Sequence, residues 1–190
     1  MVDEFVNYFE EAQKNPVGEY KAYVIKADND ASRLEALKTL LDRNQIQYGF
    51  PANTANRQQG YSFMEDKNAS FELESNDLVI SAYQPRSRLV QALFEPKPAI
   101  EDSITYDLTA WAMPFAYGLE SYAITSKISI SERAVQNSQG GTSVNGQVYA
   151  FIAEWKDISD VALLAALAKE GIKSRFATQP FKLGSKTYDK

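Results

Sequence analysis

Neither cysteine nor histidine occurs anywhere in these 190 residues. The missing thiol excludes disulfides, thiolate nucleophiles and cysteine zinc sites at once, and it is compatible with either redox compartment. The missing imidazole removes the commonest general base and the commonest metal ligand, so no cofactor or metal is expected in this chain. No apolar run reaches the roughly 20 residues of a spanning helix. The opening "MVDEFVNYFEEAQKNP" is acidic where a secretory signal would be basic. Positive charge is also in short supply: 20 Lys and Arg against 25 Asp and Glu leave a formal net charge of −5. Such a field repels phosphate backbones and anionic lipid, and neither nucleic acid nor membrane is expected as a partner.

What remains is a composition able to build one core, with 44% hydrophobic and 12% aromatic residues. Phe5, Tyr8 and Phe9 share a helical face that Pro16 and Gly18 then stop, so residues 1–18 read as a short helix and a linker. "EYKAYVIKA" reads as a strand. "DNDASRLEALKTLLDRNQ" follows as a helix carrying Leu34, Leu37 and Leu41, and "IQYGF" closes a β-α-β candidate over 19–50. "YSFM" and "SFELES" pair across "EDKNA" as a hairpin at the sheet edge. "DLVISAY" has the continuous apolar character of a buried central strand, and Pro96 and Pro98 terminate the helix "SRLVQALFEP".

Further on, "SITYDLTAWAMPFAYGLESYAIT" turns a short packed helix into another strand around Pro114 and Gly118. "ISISERAVQNSQGGTSVNGQ" is a polar loop. "VYAFIAEW" is a strand, and "DISDVALLAALAKEGI" an apolar helix capped by Asp157 and ended by Gly171. The final "SRFATQPFKLGSKTYDK" supplies one more strand and a pattern that asks for a partner the sequence does not contain. The expected fold class is therefore α/β, a flavodoxin-like, doubly wound and mainly parallel sheet with a hairpin insertion. Residues 19–190 are expected to form one domain, cut at its C-terminal end.

Candidate chemistry concentrates at the turn after "DLVISAY". In an open parallel sheet that turn faces ligands, so Gln84, Arg86, Ser87 and Arg88 could hold a carboxylate or phosphate. The alternative is structural: Pro85 opens the helix, Gln84 or Tyr83 caps it, and the two Arg are solvated. Tyr106, Trp111, Phe115 and Tyr117 in "YDLTAWAMPFAYG" could make an aromatic wall for a peptide or sugar with Asp107 and Thr109 as polar handles, although packed aromatics in a core or domain interface, with those two as a helix cap, are the base expectation. "SKISISER" offers Ser126, Lys127, Ser129 and Ser131 for serine and lysine chemistry, though loop serines are commonly solvated. Asp28, Asn29 and Asp30 in "KADNDAS" suit a helix cap better than a calcium loop, which needs a glycine and a distal glutamate. No GxGxxG or GxxxxGK motif is present, and a dinucleotide or P-loop site is rejected.

Four stretches, "YKAYVIK", "DLVISAYQPRSRLVQALFEP", "SITYDLTAWAMPFAYGLESY" and "FATQPFKLGSKTYDK", together resemble one family. They are similar to the region downstream of the catalytic domain in large secreted zinc carboxypeptidases of bacteria. The resemblance runs over roughly residues 5–190, and its most specific parts are the QP turn with "LFEP" and "YDLTAW" followed by a proline and a glycine. The zinc of that family sits on an HxxE pair and a distant His, none of which a histidine-free chain can supply. The resemblance thus implies an accessory domain with a class I glutamine amidotransferase-like fold lacking its catalytic Cys and His. It also implies the peptidase domain of the same polypeptide as partner, peptide as substrate, and a secreted or periplasmic setting. The expected function is a non-catalytic metallopeptidase accessory domain, structural or substrate-presenting. The alternative is a free-standing binding module for a small anionic ligand or peptide terminus.

Overall fold

The computed structural model describes residues 2–54, 57–97, 112–131, 148–155 and 158–188. The chain divides into two compact units, Met1–Val135 and Gln136–Lys190.

In the first unit, α1 (Val2–Lys14) is followed by β1 (Ala22–Ile25) and α2 (Ala31–Arg43). The α2 helix starts where the Asp30 carboxylate accepts from the backbone N–H of Ser32 at 3.0 Å and of Arg33 at 3.3 Å. Leu37 and Leu41, four residues apart, are the side chains it buries. The neighbouring Asn29 clamps the loop, donating from Nδ2 to the carbonyls of Lys26 and Glu120 and accepting at Oδ1 from Glu120 N–H. "KADNDAS" is thus a cap and a clamp.

Then come β2 (Phe50–Pro51), the hairpin β3 (Arg57–Ser62) and β4 (Lys67–Glu72), β5 (Leu78–Ser81), α3 (Ser87–Phe94), α4 (Met113–Tyr117), β6 (Ser121–Ile124) and β7 (Ile130–Ser131). Pro114 opens α4 and Gly118 ends it at φ 61, in the left-handed region that glycine enters without a Cβ penalty. Gly60 meets a different need: a Cβ there would lie 2.8 Å from the Ala123 carbonyl of the adjoining strand.

Five strands form one sheet in the order β4-β3-β6-β1-β5, and every pairing is antiparallel. This overturns the expected flavodoxin-like parallel sheet, and with it the glutamine amidotransferase-like fold that the resemblance implies. The reason lies in what sits between the paired strands. β1 and β3 run in the same direction, as a crossover through α2 requires, but β6 lies between them and is antiparallel to both. β5 and β6 likewise share a direction, with β1 between them. Both crossovers exist, and each skips a strand. "IQYGF" does not join as the second strand of a β-α-β unit: Gly49 makes an isolated antiparallel bridge to Val79, and Phe50–Pro51 pairs with β7.

Continuous apolar strands usually mark parallel sheets because those are covered on both faces. Here an antiparallel sheet is covered on both faces, so the same pattern arises. Along β1, Tyr23 and Ile25 enter the cluster formed with Leu37, Leu41, Val90 and Phe94 of the helices. Ala22 and Val24 point the other way, into a second cluster with Val79, Phe71, Tyr122 and Ile124. In the latter, Phe71 and Tyr122 stack with ring centroids 4.0 Å apart.

The second unit contains α5 (Ser159–Lys169) and a hairpin of β8 (Phe181–Leu183) and β9 (Lys186–Tyr188). Gly171, at φ 70, follows the helix end as the sequence suggests, whereas Asp157, the expected cap, lies outside the described residues. "VYAFIAEW", expected as a strand, belongs to no ladder over its residues 148–155. Between 148 and 188 no described residue is buried. Among the described residues, no helix is long and apolar enough to cross a membrane.

Candidate functional site

The turn from β5 into α3 brings Gln84, Arg86, Ser87 and Arg88 close in sequence but sends them to different tasks. Gln84 is fully buried, and its amide acts as a surrogate peptide group. Its Oε1 accepts from Gln47 N–H at 2.7 Å, and its Nε2 donates to the carbonyls of Gln47 at 3.0 Å and Ser81 at 2.6 Å. Three hydrogen bonds of roughly 1 kcal/mol each tie the segment after α2 to the end of β5. Arg86, exposed, donates from Nη2 to Gln45 Oε1 at 2.9 Å. It is also the residue that precedes the first turn of α3, two positions beyond the expected cap, and its side chain caps nothing.

Ser87 and Arg88 face α1 instead. The Arg88 guanidinium carbon lies 5.0 Å from the Tyr8 ring centroid, a cation–π contact across the two helices. Ser87 is buried and its Oγ has no hydrogen-bond partner. Both line a cavity of about 230 Å³ with Asn7, Tyr8, Glu11 and Asn15. Glu11 accepts a hydrogen bond from Asn15 Nδ2 at 3.2 Å. The cavity therefore carries one guanidinium and one carboxylate, and its charge does not select an anion.

Asp107, Thr109 and Trp111 lie outside the described residues. The "SKISISER" segment brings no serine hydroxyl to its lysine: Lys127 Nζ stands 4.6 Å over the Tyr83 ring, and Ser131 Oγ donates to the Phe50 carbonyl at 3.5 Å. Among the described residues, no group of three or more carboxylates is placed to hold a metal ion.

A second site lies within the Gln136–Lys190 unit. A cleft of about 500 Å³ is lined by Phe151, Ile152, Trp155, Phe176, Phe181 and Tyr188, with Glu154, Arg175 and Lys186 as its charged groups. Trp155 meets Phe176 edge-on at 6.3 Å, and Phe181 stacks on Tyr188 at 5.1 Å. Lys186 is ion-paired with Glu154 and lies 5.1 Å over the Tyr188 ring. Arg175 makes no hydrogen bond or ion pair among the described residues. Residue typing at the turn after β5 pointed away from this cleft. The signal that could have found it is the clustering of aromatics in two segments, "VYAFIAEW" and "SRFATQPFKLGSKTY". The second, expected to ask for a partner the sequence does not contain, pairs with itself as the β8–β9 hairpin.

The chain matches no protein-family model, no curated protein and no solved structure.

Proposed function

We propose that this chain is a non-catalytic module that packs against another polypeptide through its Gln136–Lys190 unit. One observation carries the reading: among the described residues of that unit, no apolar side chain is buried. Phe151 is 73% exposed, Ile158 83% and Phe176 71%, and Trp155 and Leu183 are more than half exposed. Isolated apolar residues on a surface need no explanation, but Phe151, Trp155 and Phe176 line one cleft, and such a grouping supports a binding face. The helix α5 of the same unit, apolar nearly all round, also leaves Val161 and Leu163 exposed. A metallopeptidase domain of the same polypeptide, the partner implied by the sequence resemblance, is one protein able to cover this face.

A non-catalytic role fits how the polar groups of the first unit are used. Gln84, Asn29 and Asp30 are all engaged in holding loops and caps. The small-anion alternative has less behind it, because Arg86 is bonded to Gln45 and Glu11 shares the Arg88 cavity.

An apolar fluorescent dye tests the reading on the intact chain. Dye binding is expected, and the double variant Phe151→Ser, Phe176→Ser is expected to lose most of it, while Phe5→Ser on α1 loses little. Equal dye binding by the double variant and the parent would contradict the assignment of this face.

A further inference from the structure

Residues 148–155, "VYAFIAEW", have strand composition, rich in β-branched and aromatic residues. Among the described residues, however, the backbone of 148–153, of Trp155 and of 173–177 makes no hydrogen bond. Among the described residues β8 and β9 pair only with each other, and the outer edge of each meets no ladder. Strand-forming sequence with free donors and acceptors is a template for another strand, and an isolated two-stranded hairpin is marginal without one. These open segments and the hairpin are the walls of the aromatic cleft.

Building on the packing role proposed above, we infer that the cleft binds an extended, acidic segment of another polypeptide by strand addition. Backbone bonding to the open segments would supply affinity, and alternate side chains of the incoming strand would enter between Trp155, Phe176 and Tyr188. The charge of the unit selects an acidic occupant. Residues 136–190 carry seven Lys and Arg against five Asp and Glu, whereas the rest of the chain carries 13 against 20. At the cleft itself Lys186 is already paired with Glu154, and Arg175 is the guanidinium left to receive a carboxylate.

The test uses the full chain and three short labelled peptides followed by fluorescence anisotropy. One alternates Phe or Val with Glu, one carries Lys in place of Glu, and one is the Glu peptide N-methylated at alternate positions so that it cannot donate to a ladder. Saturable binding of the Glu peptide is expected, weakened about tenfold or more by N-methylation, by Arg175→Glu and by Trp155→Ala, a loss of roughly 1.4 kcal/mol per tenfold. Both variants are expected to keep the far-UV circular dichroism of the parent, which separates a lost contact from lost structure in the unit. Equal binding of the Lys peptide, undiminished binding after N-methylation, or no binding at all would overturn strand addition. So would sedimentation showing that a second copy of this chain occupies the cleft and excludes the peptide. If the dye binds the face but every peptide fails, strand addition falls and the packing face stands; if the dye also fails, both fall.

Discussion

Replacing Asp77 by Ala is expected to remove about 3–5 kcal/mol from the stability of the N-terminal unit, enough to unfold an ordinary domain at moderate temperature. Asp77 is completely buried at the head of β5. Its Oδ2 accepts from Lys26 Nζ at 2.8 Å and from Glu74 N–H at 2.8 Å, and its Oδ1 accepts from Ala27 N–H at 3.0 Å. The ammonium donates as well to the Glu72 carbonyl at 2.9 Å, and the exposed Glu74 carboxylate lies 3.6 Å away. The carboxylate thus joins the end of β1 to the loop between β4 and β5. Its removal leaves two backbone donors without their acceptor and a nearly buried ammonium with only the Glu72 carbonyl and the exposed Glu74 carboxylate beside it, a cost above that of losing an exposed ion pair. Urea unfolding of the variant measures it, and a loss under 1 kcal/mol would contradict the account of this pair.

The same pair gives a pH signature. Burial works against the Lys26 charge, but the hydrogen bond and charge of Asp77 outweigh it and raise the lysine pKa. A folded-state pKa above the unfolded one contributes stability that is complete below about pH 10.4 and is lost as pH rises through the folded value. Tyr48 and Tyr122 act in the same sense: burial first, then the carboxylates of Asp42 and Glu120, push each phenol up to about 12. Stability of the parent therefore falls on the alkaline side, and Asp77→Ala is expected to flatten the lysine part of that fall.

Phe94→Ala is expected to cost about 3–5 kcal/mol by the same urea measurement. The ring is fully buried at the last turn of α3, with its centroid 5.3 Å from that of Tyr23 on β1, an interior strand of the sheet. Val90, one turn earlier, is also fully buried, so the contact fastens the whole helix to the sheet. Truncation leaves a cavity in the close-packed cluster that holds Tyr23, Val90 and Phe94. A cost below 1 kcal/mol would show that α3 is held by something other than this contact.

Local elements were legible from the sequence where one physical signal dominates. An Asp or Asn cap on α2, an apolar stripe of which Leu37 and Leu41 are buried, a hairpin at the sheet edge, and a short helix between Pro114 and Gly118 follow from capping, periodicity and turn chemistry, although β3 begins at Arg57, inside a stretch that reads as a polar turn. Strand direction was not legible. Apolar runs such as "LVIS" report burial on two faces, and that burial comes from parallel strands under two helical layers or, as here, from an antiparallel sheet with an apolar cluster on each side. Nor does the order of strands and helices reveal that β6 slides between β1 and β3.

The candidate sites divide along similar lines. Gln84 reads as a ligand group because of where it sits in the chain, yet three short hydrogen bonds spend its amide on holding two loops. Phe176 and Trp155 read as strand or core residues because aromatics usually are, and the structure leaves both exposed. Sequence alone cannot show whether an apolar residue finds a neighbour.

The central claim is that residues 148–188 carry a face made for another polypeptide, and amide hydrogen exchange of the intact chain tests it most directly. An isolated helix of 11 residues and a hairpin with three-residue strands are marginal in water. The expected result is slow exchange at Ala22–Ile25, Leu78–Ser81 and Ser121–Ile124, governed by global unfolding, with opening free energies near zero from 148 to 188. Protection of 148–188 as strong as that of β1, β6 and β5, the last an edge strand of the sheet and not the central strand the sequence suggests, would contradict it in the chain by itself.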